Sequence, residues 1–330
     1  MEYRRLGQSD INVSAITFGA WAIGGWMWGG TDEQDAVAAI RKAMDLGVTT
    51  IDTAAVYGFG LSEQFVAKAV AGKRDKVQIL TKYGIRWDDG EGESHFETRD
   101  SRGHPVKLYK NARPQSVMYE CEQSLKRLGT DFIDVYQCHW RDCTTPVEET
   151  MGAMDKLLKA GKIRAVGVSN FTVEDMEAAR KVVPLVSSQP PYSMVLRDAE
   201  KDVLPFCREN KIGVIVYSPL QRGLLTGKIK PGHKFADGDH RAGGKFFRPQ
   251  NVEKVLRFLD ELRPIAEAHG ATLAQLVINW TIHRPGITAA LVGARNPGQA
   301  EENAKAGDFT LSDEETRRID ELLEGLKLDV

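Results

Sequence analysis

The sequence has few of the features that mark secreted, membrane or metal-binding proteins. Only four cysteines occur among its 330 residues, and they form neither a Cys-x-x-Cys pair nor a zinc-ligand spacing, so a disulfide framework and a metal site are not expected. No apolar run approaches the roughly 20 residues that span a bilayer. The N-terminal segment lacks the apolar core of a signal peptide. We therefore expect a cytoplasmic protein with reduced thiols.

Charge of one sign is also missing. The net charge is −2, with 42% hydrophobic and 27% charged residues, which is ordinary for a soluble globular protein. This balance gives no electrostatic basis for binding nucleic acid or an anionic membrane, so a small molecule is the expected partner. A Gly-x-Gly-x-x-Gly fingerprint between the first strand and helix is absent, which disfavours a Rossmann dinucleotide site.

Eight short apolar segments alternate with amphipathic helices along the chain. They lack period-2 alternation, which is typical of parallel strands covered on both faces. The alternation predicts one (β/α)₈ TIM-barrel domain over residues 1–330, with its site on the loops after the strands; a doubly wound sheet is the alternative. An N-terminal β-hairpin is expected before the barrel, and the helix after the second strand is expected to begin with Ser62 as its cap. The predicted strands cover 15–20, 49–52, 77–82, 132–139, 163–169, 185–189, 213–218 and 288–293, with long loops after strand 3 (83–113) and strand 7 (219–249).

Four titratable side chains follow consecutive predicted strands: Asp52, Tyr57, Lys82 and His139. Each alone is typical of a cap, a solvated charge or a packed ring, but together they indicate a constructed site. A tyrosine with a pKa of about 10 is a poor proton donor. An adjacent ammonium lowers that pKa, and a buried ammonium needs a carboxylate. We therefore expect Asp52 to compensate Lys82, Lys82 to lower the pKa of Tyr57, Tyr57 to serve as general acid and base at a carbonyl, and His139 to hydrogen-bond the same oxygen.

The chain resembles the aldo-keto reductases. The motifs that carry the resemblance are I-D-T-A-x-x-Y-G at 51–58, T-K at 81–82, D-x-Y-Q-C-H-W at 134–140, G-K-I-R-A-V-G-V-S-N-F at 161–171, Y-S-P-L at 217–220, G-L-L-T-G-K at 223–228 and V-G-A-R-N-P-x-Q-x-x-E-N at 292–303. The resemblance implies a (β/α)₈ barrel that binds NADPH without a Rossmann domain. It also implies that the four residues above are the catalytic tetrad.

The resemblance further implies cofactor positions. The residues implied to bind the carboxamide are Ser169, Asn170 and Gln189, and the aromatic implied to stack on the nicotinamide is Tyr217. The loop implied to cross the pyrophosphate holds Ser218, Pro219, Leu220, Arg222 and Lys228, and the residues implied at the adenosine end are Gly293, Arg295, Gln299, Glu302 and Asn303. Trp21 is also implied to contact the cofactor. The best-known branch has Lys-Ser where this chain has Gly293-Ala294, and Arg where it has Gln299. Arg295, with Arg241, is then expected to bind the 2′-phosphate. NADPH is the predicted cofactor, and NADH is the open alternative.

Tryptophans on the loops are expected to wall the substrate space, and their rings suit the C–H faces of a sugar as well as alkyl or aryl aldehydes. They are Trp21, Trp26, Trp28, Trp87 and Trp140. The polar donors and acceptors of the third loop favour a polyhydroxylated substrate. The alternative function is a redox-sensing regulator like the potassium-channel β subunits, which the chain also resembles. Those proteins carry Asn where this chain has His139, which favours a turnover enzyme. A metal-dependent barrel hydrolase would need clustered ligands, and only His139 qualifies.

Overall fold

A computed structural model describes residues 1–100 and 102–330. The strands of these residues are β1 (Tyr3–Arg5), β2 (Asn12–Ser14), β3 (Ile16–Gly19), β4 (Thr50–Asp52), β5 (Gln78–Tyr83), β6 (Ile85–Arg86), β7 (Glu93–Arg99), β8 (Pro105–Lys110), β9 (Ile133–Cys138), β10 (Ile163–Ser169), β11 (Leu185–Gln189), β12 (Gly213–Tyr217) and β13 (Ala289–Gly293). The α-helices are α1 (Glu33–Asp45), α2 (Leu61–Val70), α3 (Pro114–Leu128), α4 (Val147–Lys159), α5 (Val173–Arg180), α6 (Val203–Glu209), α7 (Pro249–Ala268), α8 (Leu273–Ile282), α9 (Pro297–Ala304) and α10 (Asp313–Gly325).

Eight parallel strands close into a barrel in the order β3, β4, β5, β9, β10, β11, β12, β13 and back to β3. The predicted TIM barrel is therefore confirmed. Strands β10 and β11 have the predicted bounds, and the other six differ by one residue at one or both ends. No helix within the described residues combines the length and apolar content needed to cross a bilayer.

The N-terminal hairpin, formed by β1 and β2, covers the end of the barrel where the strands begin. Leu6, Ile11 and Val13 pack against inward-facing barrel residues such as Leu80 and Val135. All five side chains are almost fully buried. The hairpin therefore fills this end of the barrel, and a ligand has to enter where the strands end.

The long loop predicted after the third strand contains a small antiparallel sheet with the strand order β6-β8-β7. Its hydrophobic residues, including Leu108 and Phe96, pack against Trp26 from the first loop. The long connection between β5 and α3 is present as predicted, but the sequence did not reveal that it contains a sheet, because that sheet depends on packing against the barrel mouth. The segment after β12, in contrast, contains only short 3₁₀ turns, at Gln221–Thr226 and Lys245–Phe247.

The predicted cap at Ser62 is also wrong. Helix α2 begins at Leu61 after Gly60, whose backbone is left-handed. The Ser62 hydroxyl instead donates to the carbonyl of Ala20 at 2.8 Å and lies 2.8 Å from the hydroxyl of Thr53. Ser62 thus ties the helix to the ends of β3 and β4, a tertiary role that local sequence does not reveal.

Candidate active site

The ends of β4, β5 and β9 bring the four predicted catalytic side chains to one side of the barrel mouth. Lys82 donates to the carboxylate of Asp52 and, at 3.0 Å, to the carbonyl of Thr53. Its Nζ lies 3.3 Å from the Tyr57 hydroxyl. Asp52 and Lys82 are only 2% and 1% exposed. The structure therefore contains the carboxylate, ammonium and phenol contacts that the sequence predicts.

The proton affinities of this cluster differ in part from the prediction. Burial acts to lower the pKa of Lys82, but attraction to Asp52 and Tyr57 and the hydrogen bonds to both together outweigh it, so the pKa is raised and the ammonium stays charged. Burial, together with the nearby charge of Asp52, raises the pKa of Tyr57 by more than Lys82 lowers it. The expectation of a net lowered pKa for Tyr57 is therefore wrong for the chain without cofactor, because the loss of hydration exceeds the attraction of one ammonium. Lys82 still makes the phenol more acidic than burial alone would.

His139 presents a neutral imidazole to the phenol. Its ring lies 5.6 Å from that of Tyr57 in an edge-on arrangement. Burial, with smaller contributions from Lys82 and His95, holds the pKa of His139 well below its usual range. A neutral ring keeps one N–H for donation to a carbonyl oxygen without adding a second positive charge.

Two glutamines complete the surroundings of Asp52. Gln137 and Gln189 donate to its second carboxylate oxygen at 3.1 and 2.9 Å. Sequence reasoning missed Gln137, although it lies two residues before His139, a spacing that puts side chains on the same face of a strand. The carboxylate is therefore held by two amides as well as by the ammonium.

A glycine turn places Tyr57 beside the first loop. Gly58 has φ +63°, and a Cβ built on it would lie 2.3 Å from the carbonyl oxygen of Gly24. A side chain at this position would push the two segments apart. The close approach of the two backbones thus fixes the turn that carries the phenol.

The predicted carboxamide trio and stacking aromatic lie together at the ends of β10, β11 and β12. Asn170 has a left-handed backbone (φ 57°); its amide nitrogen donates to the His139 carbonyl at 3.0 Å, and its oxygen accepts from the Tyr217 hydroxyl at 2.9 Å. The Ser169 hydroxyl donates to the carbonyl of Gln189 at 2.8 Å. The donors and acceptors of a carboxamide site are present, and the Gln189 amide nitrogen is held by Asp52.

The loop after β12 has an unusual backbone where the pyrophosphate is expected. Ser218, Gln221 and Arg222 all have positive φ, which is uncommon for residues other than glycine and typical of functional loops. Among the described residues, no carboxylate forms a salt bridge with Arg222, while Lys228 is 3.4 Å from Glu302. Arg222 is thus a cation available to an anion.

The two arginines predicted to bind a 2′-phosphate have different surroundings. Arg295 donates to the carbonyl of Gly30 at 2.8 Å, and its backbone amide donates to the side chain of Gln299 at 2.8 Å, beside the N-terminus of α9. Helix N-termini attract phosphate groups. Arg241 instead forms a salt bridge with Asp239 at 2.6 Å and lies over the ring of Trp28. At the same end of the barrel, Asn303 donates to the carbonyl of Gly293 at 3.0 Å.

Aromatic side chains surround the approach to Tyr57. Trp26 stacks on Phe96 at 6.2 Å and contacts Phe59 at 5.5 Å, and Trp87 meets Phe59 edge-on at 5.7 Å. These rings belong to one apolar cluster with Tyr57. The predicted Trp26, Trp87 and Trp140 therefore lie near the phenol, together with residues of the small sheet that the sequence did not reveal.

Trp21 and Trp28 form a second aromatic group with His240, which sequence reasoning missed. Trp21 stacks near Tyr57 at 6.1 Å and lies 4.6 Å from the ring of His240. Trp28 meets His240 at 4.8 Å. His240 also bonds the carbonyl of Met27 through its backbone amide at 3.1 Å and through Nδ1 at 2.8 Å. The loop after β12 is thus joined to the first loop across the mouth.

A buried carboxyl supports the start of the small sheet. The oxygens of Glu120 each lie 3.1 Å from the amide nitrogen of Gly84, and Ser116 donates to one of them. Ser116 in turn accepts from Arg86 at 2.8 Å. Burial raises the pKa of Glu120 to about 8, although Arg86 opposes the shift. Glu120 therefore positions the backbone two residues after Lys82.

The donor set of this mouth fits a nicotinamide dinucleotide. Amide and hydroxyl groups suit a carboxamide, the Tyr217 ring suits a stacked nicotinamide, and Arg222 with a left-handed loop suits a pyrophosphate. Within the described part of the chain, no three His, Cys, Asp or Glu side chains gather in a way that would hold a metal ion.

Comparison with known proteins agrees with this geometry. The aldo/keto reductase family model matches residues 15–324. The aldo-keto reductase YhdN of Bacillus subtilis (strain 168) is 41% identical, over 98% of this chain and 94% of its own length. The NADH-specific methylglyoxal reductase of Escherichia coli (strain K12) is 36% identical over 98% of both chains. Among solved structures, a glycerol dehydrogenase from Gluconobacter oxydans matches with a TM-score of 0.88 and 39% identity, over 98% of this chain and 95% of that chain.

Proposed function

The chain belongs to the aldo/keto reductase family, and we propose that it is an NADPH-dependent carbonyl reductase and alcohol dehydrogenase with Tyr57 as general acid and base. Family membership makes it an NAD(P)H-dependent oxidoreductase acting on carbonyl compounds. The finer proposal rests on one observation: the Lys82 ammonium, paired with buried Asp52, lies 3.3 Å from the Tyr57 hydroxyl.

Residues of the chain transfer the proton to the carbonyl oxygen and stabilise the charge that remains. When bound, the nicotinamide cofactor supplies hydride to the carbonyl carbon or receives it from the alcohol. Tyr57 donates its phenol proton to the carbonyl oxygen, and Lys82 stabilises the phenolate that remains. Asp52 keeps Lys82 charged. His139, neutral because it is buried, donates a second hydrogen bond to the same oxygen and orients it.

NADPH is the proposed cofactor because Arg295 offers a cation to a 2′-phosphate beside the N-terminus of α9, where the helix dipole favours an anion. NADH is the second candidate. It is favoured by the relative named an NADH-specific methylglyoxal reductase and by the glycine and glutamine at positions 293 and 299. Titration with both cofactors decides between them, since a 2′-phosphate site would bind NADPH more tightly.

The proposed substrates are small aldehydes, ketones and sugars, turned over in the cytoplasm. The aromatic walls at Trp26, Trp87 and Trp140 suit the C–H faces of a sugar as well as alkyl groups, and one similar structure is a glycerol dehydrogenase. A panel that showed simple aromatic aldehydes far ahead of sugars and short hydroxyaldehydes in kcat/KM would overturn the preference for hydroxylated substrates.

The direct test of the proposed chemistry is Tyr57→Phe. We expect kcat for aldehyde reduction to fall by roughly 10²- to 10⁴-fold, the usual contribution of a general acid, while the Kd for NADPH stays near that of the wild type. Tyr119→Phe, on the outer surface of α3 and 45% exposed, is the matched control and should leave both quantities unchanged. Retained reduction by Tyr57→Phe would exclude the phenol as the proton donor.

A further inference from the structure

Three buried nitrogen atoms in the barrel mouth have no hydrogen-bond partner among the described residues: Nε1 of Trp21, Nε1 of Trp28 and Nε2 of His240. The three rings contact one another, with centroids 4.6 to 5.3 Å apart. The His240 side chain is only 6% exposed. Buried polar atoms are nearly always paired, so three nitrogens in one cluster without a partner in the protein point to a ligand group that pairs with them.

The tautomer of His240 follows from its surroundings. Its Nδ1 lies 2.8 Å from the carbonyl oxygen of Met27, and a carbonyl can only accept, so Nδ1 carries the proton. Burial, assisted by the charge of Arg222, lowers the pKa of His240, which keeps the ring neutral. Its Nε2 is therefore an acceptor, whereas an indole Nε1 is only a donor. The cluster offers two donors and one acceptor.

This donor set matches a hydroxyl group, which has one O–H to donate and two lone pairs to accept. A carboxylate or phosphate would meet the lone pair of His240, and an ammonium would meet the two indole N–H groups. We propose that Trp21, Trp28 and His240 together bind one hydroxyl group of a ligand in the barrel mouth. This inference rests on the carbonyl reduction proposed above.

Two ligands can supply this hydroxyl group, the substrate and the ribose of the cofactor. The ring of Trp21 lies 4.6 Å from that of His240 and 6.1 Å from that of the proton donor Tyr57. A hydroxyl a few carbon atoms away from a carbonyl held at Tyr57 lies in that direction. Trp21 and Trp28 are each half-buried as whole residues, whereas their indole nitrogens and Nε2 of His240 are buried. His240 thus becomes a specificity-determining residue for hydroxylated ligands.

His240→Asn tests the inference because the asparagine amide can keep the donation to Met27 but has no atom at the position of Nε2. We expect the ratio of kcat/KM for glyceraldehyde to that for propanal to fall about 3- to 10-fold, the effect of losing one neutral hydrogen bond. His283→Asn is the matched control, since Nδ1 of His283 also bonds a backbone carbonyl, that of Asn279, at 2.8 Å. It should leave the ratio unchanged.

A second readout does not depend on turnover. In the ¹⁵N-labelled full chain, the indole N–H signals of Trp21 and Trp28 should shift when the hydroxyl binds, with Trp280 of α8, already bonded to Asp320 at 3.2 Å, as the internal reference. A shift with NADPH alone, with weaker NADPH binding by His240→Asn, assigns the hydroxyl to the ribose. A further shift on adding glycerol to the NADPH complex, with the altered substrate ratio, assigns it to the substrate.

The outcomes separate the two proposals. Unmoved indole signals with both ligands, together with an unchanged ratio and an unchanged Kd in His240→Asn, would overturn the hydroxyl site while leaving the reductase intact. If the wild-type chain reduced neither propanal nor glyceraldehyde, the proposed reductase activity would fail, and the glycerol and NADPH titrations would still decide whether these nitrogens bind a hydroxyl.

Discussion

Replacing Asp52 with asparagine removes the counter-charge of a buried ammonium. Lys82 and Asp52 are both almost inaccessible to solvent, and removing one partner of a buried ion pair typically costs about 3–5 kcal/mol of folding free energy. We expect a loss of that size for Asp52→Asn at pH 7. The asparagine keeps the shape of the site, so the loss reflects charge rather than a cavity.

The stability lost in Asp52→Asn depends on pH through the protonation of Lys82. In the wild type the pKa of Lys82 is raised above that of the unfolded chain, so its stabilisation is present at neutral pH and is lost only above the ordinary lysine pKa. In Asp52→Asn, burial acts without the carboxylate and lowers the pKa of Lys82. The unfolded state then binds more protons than the folded state, and the variant gains stability as pH rises toward 10.

The assay is urea denaturation at pH 7 and pH 9.5, followed by tryptophan fluorescence and circular dichroism. The deficit of Asp52→Asn should shrink at the higher pH. Asp198→Asn is the matched control, because Asp198 forms a 2.7 Å pair with Lys201 on the exposed surface and should show no resolved change. A deficit under about 1 kcal/mol at pH 7, the value typical of an exposed pair, or one that did not depend on pH, would refute the reasoning.

Three further predictions concern neighbouring groups. Lys82→Met should lower kcat for reduction and move the limb of the pH–rate profile that belongs to Tyr57 to higher pH, because burial then acts on the phenol unopposed; an unshifted limb would contradict this. Arg295→Ala should weaken NADPH binding roughly tenfold or more, the loss of a charge-assisted contact, and NADH binding little; equal losses would place the 2′-phosphate elsewhere. Glu120→Gln should gain stability relative to the wild type between pH 5 and pH 8, because the wild-type carboxyl, with its raised pKa, loses its stabilising proton over that range. Parallel stability curves for the two proteins would show that the carboxyl is already ionised.

The barrel could be predicted from the sequence because its strands are buried on both faces. Strand β10 is mostly apolar and buried, apart from the exposed Arg164, and has the predicted bounds, Ile163–Ser169. A polar side chain at the end of an apolar strand contrasts with its neighbours, so the sequence indicates Asp52, Lys82 and His139 as site residues.

Features that depend on distant contacts were not predictable in this way. Strand β7 buries only part of each side chain, so its pattern resembles that of a polar loop. The contact of His240 with Met27 joins residues 213 positions apart, and no local sequence pattern predicts it. The pKa of Tyr57 depends on the depth of the site, which the order of residues does not specify.

The small antiparallel sheet beside the mouth begins and ends at the same point of the barrel. The backbone amide of Asn111 donates to the carbonyl of Gly84 at 3.1 Å, so the two ends of the segment are joined by a hydrogen bond. Insertions and exchanges within it need not disturb the strand that carries Lys82. Substrate preference in such a chain can therefore diversify through changes in the small sheet, while the residues that transfer the proton stay the same.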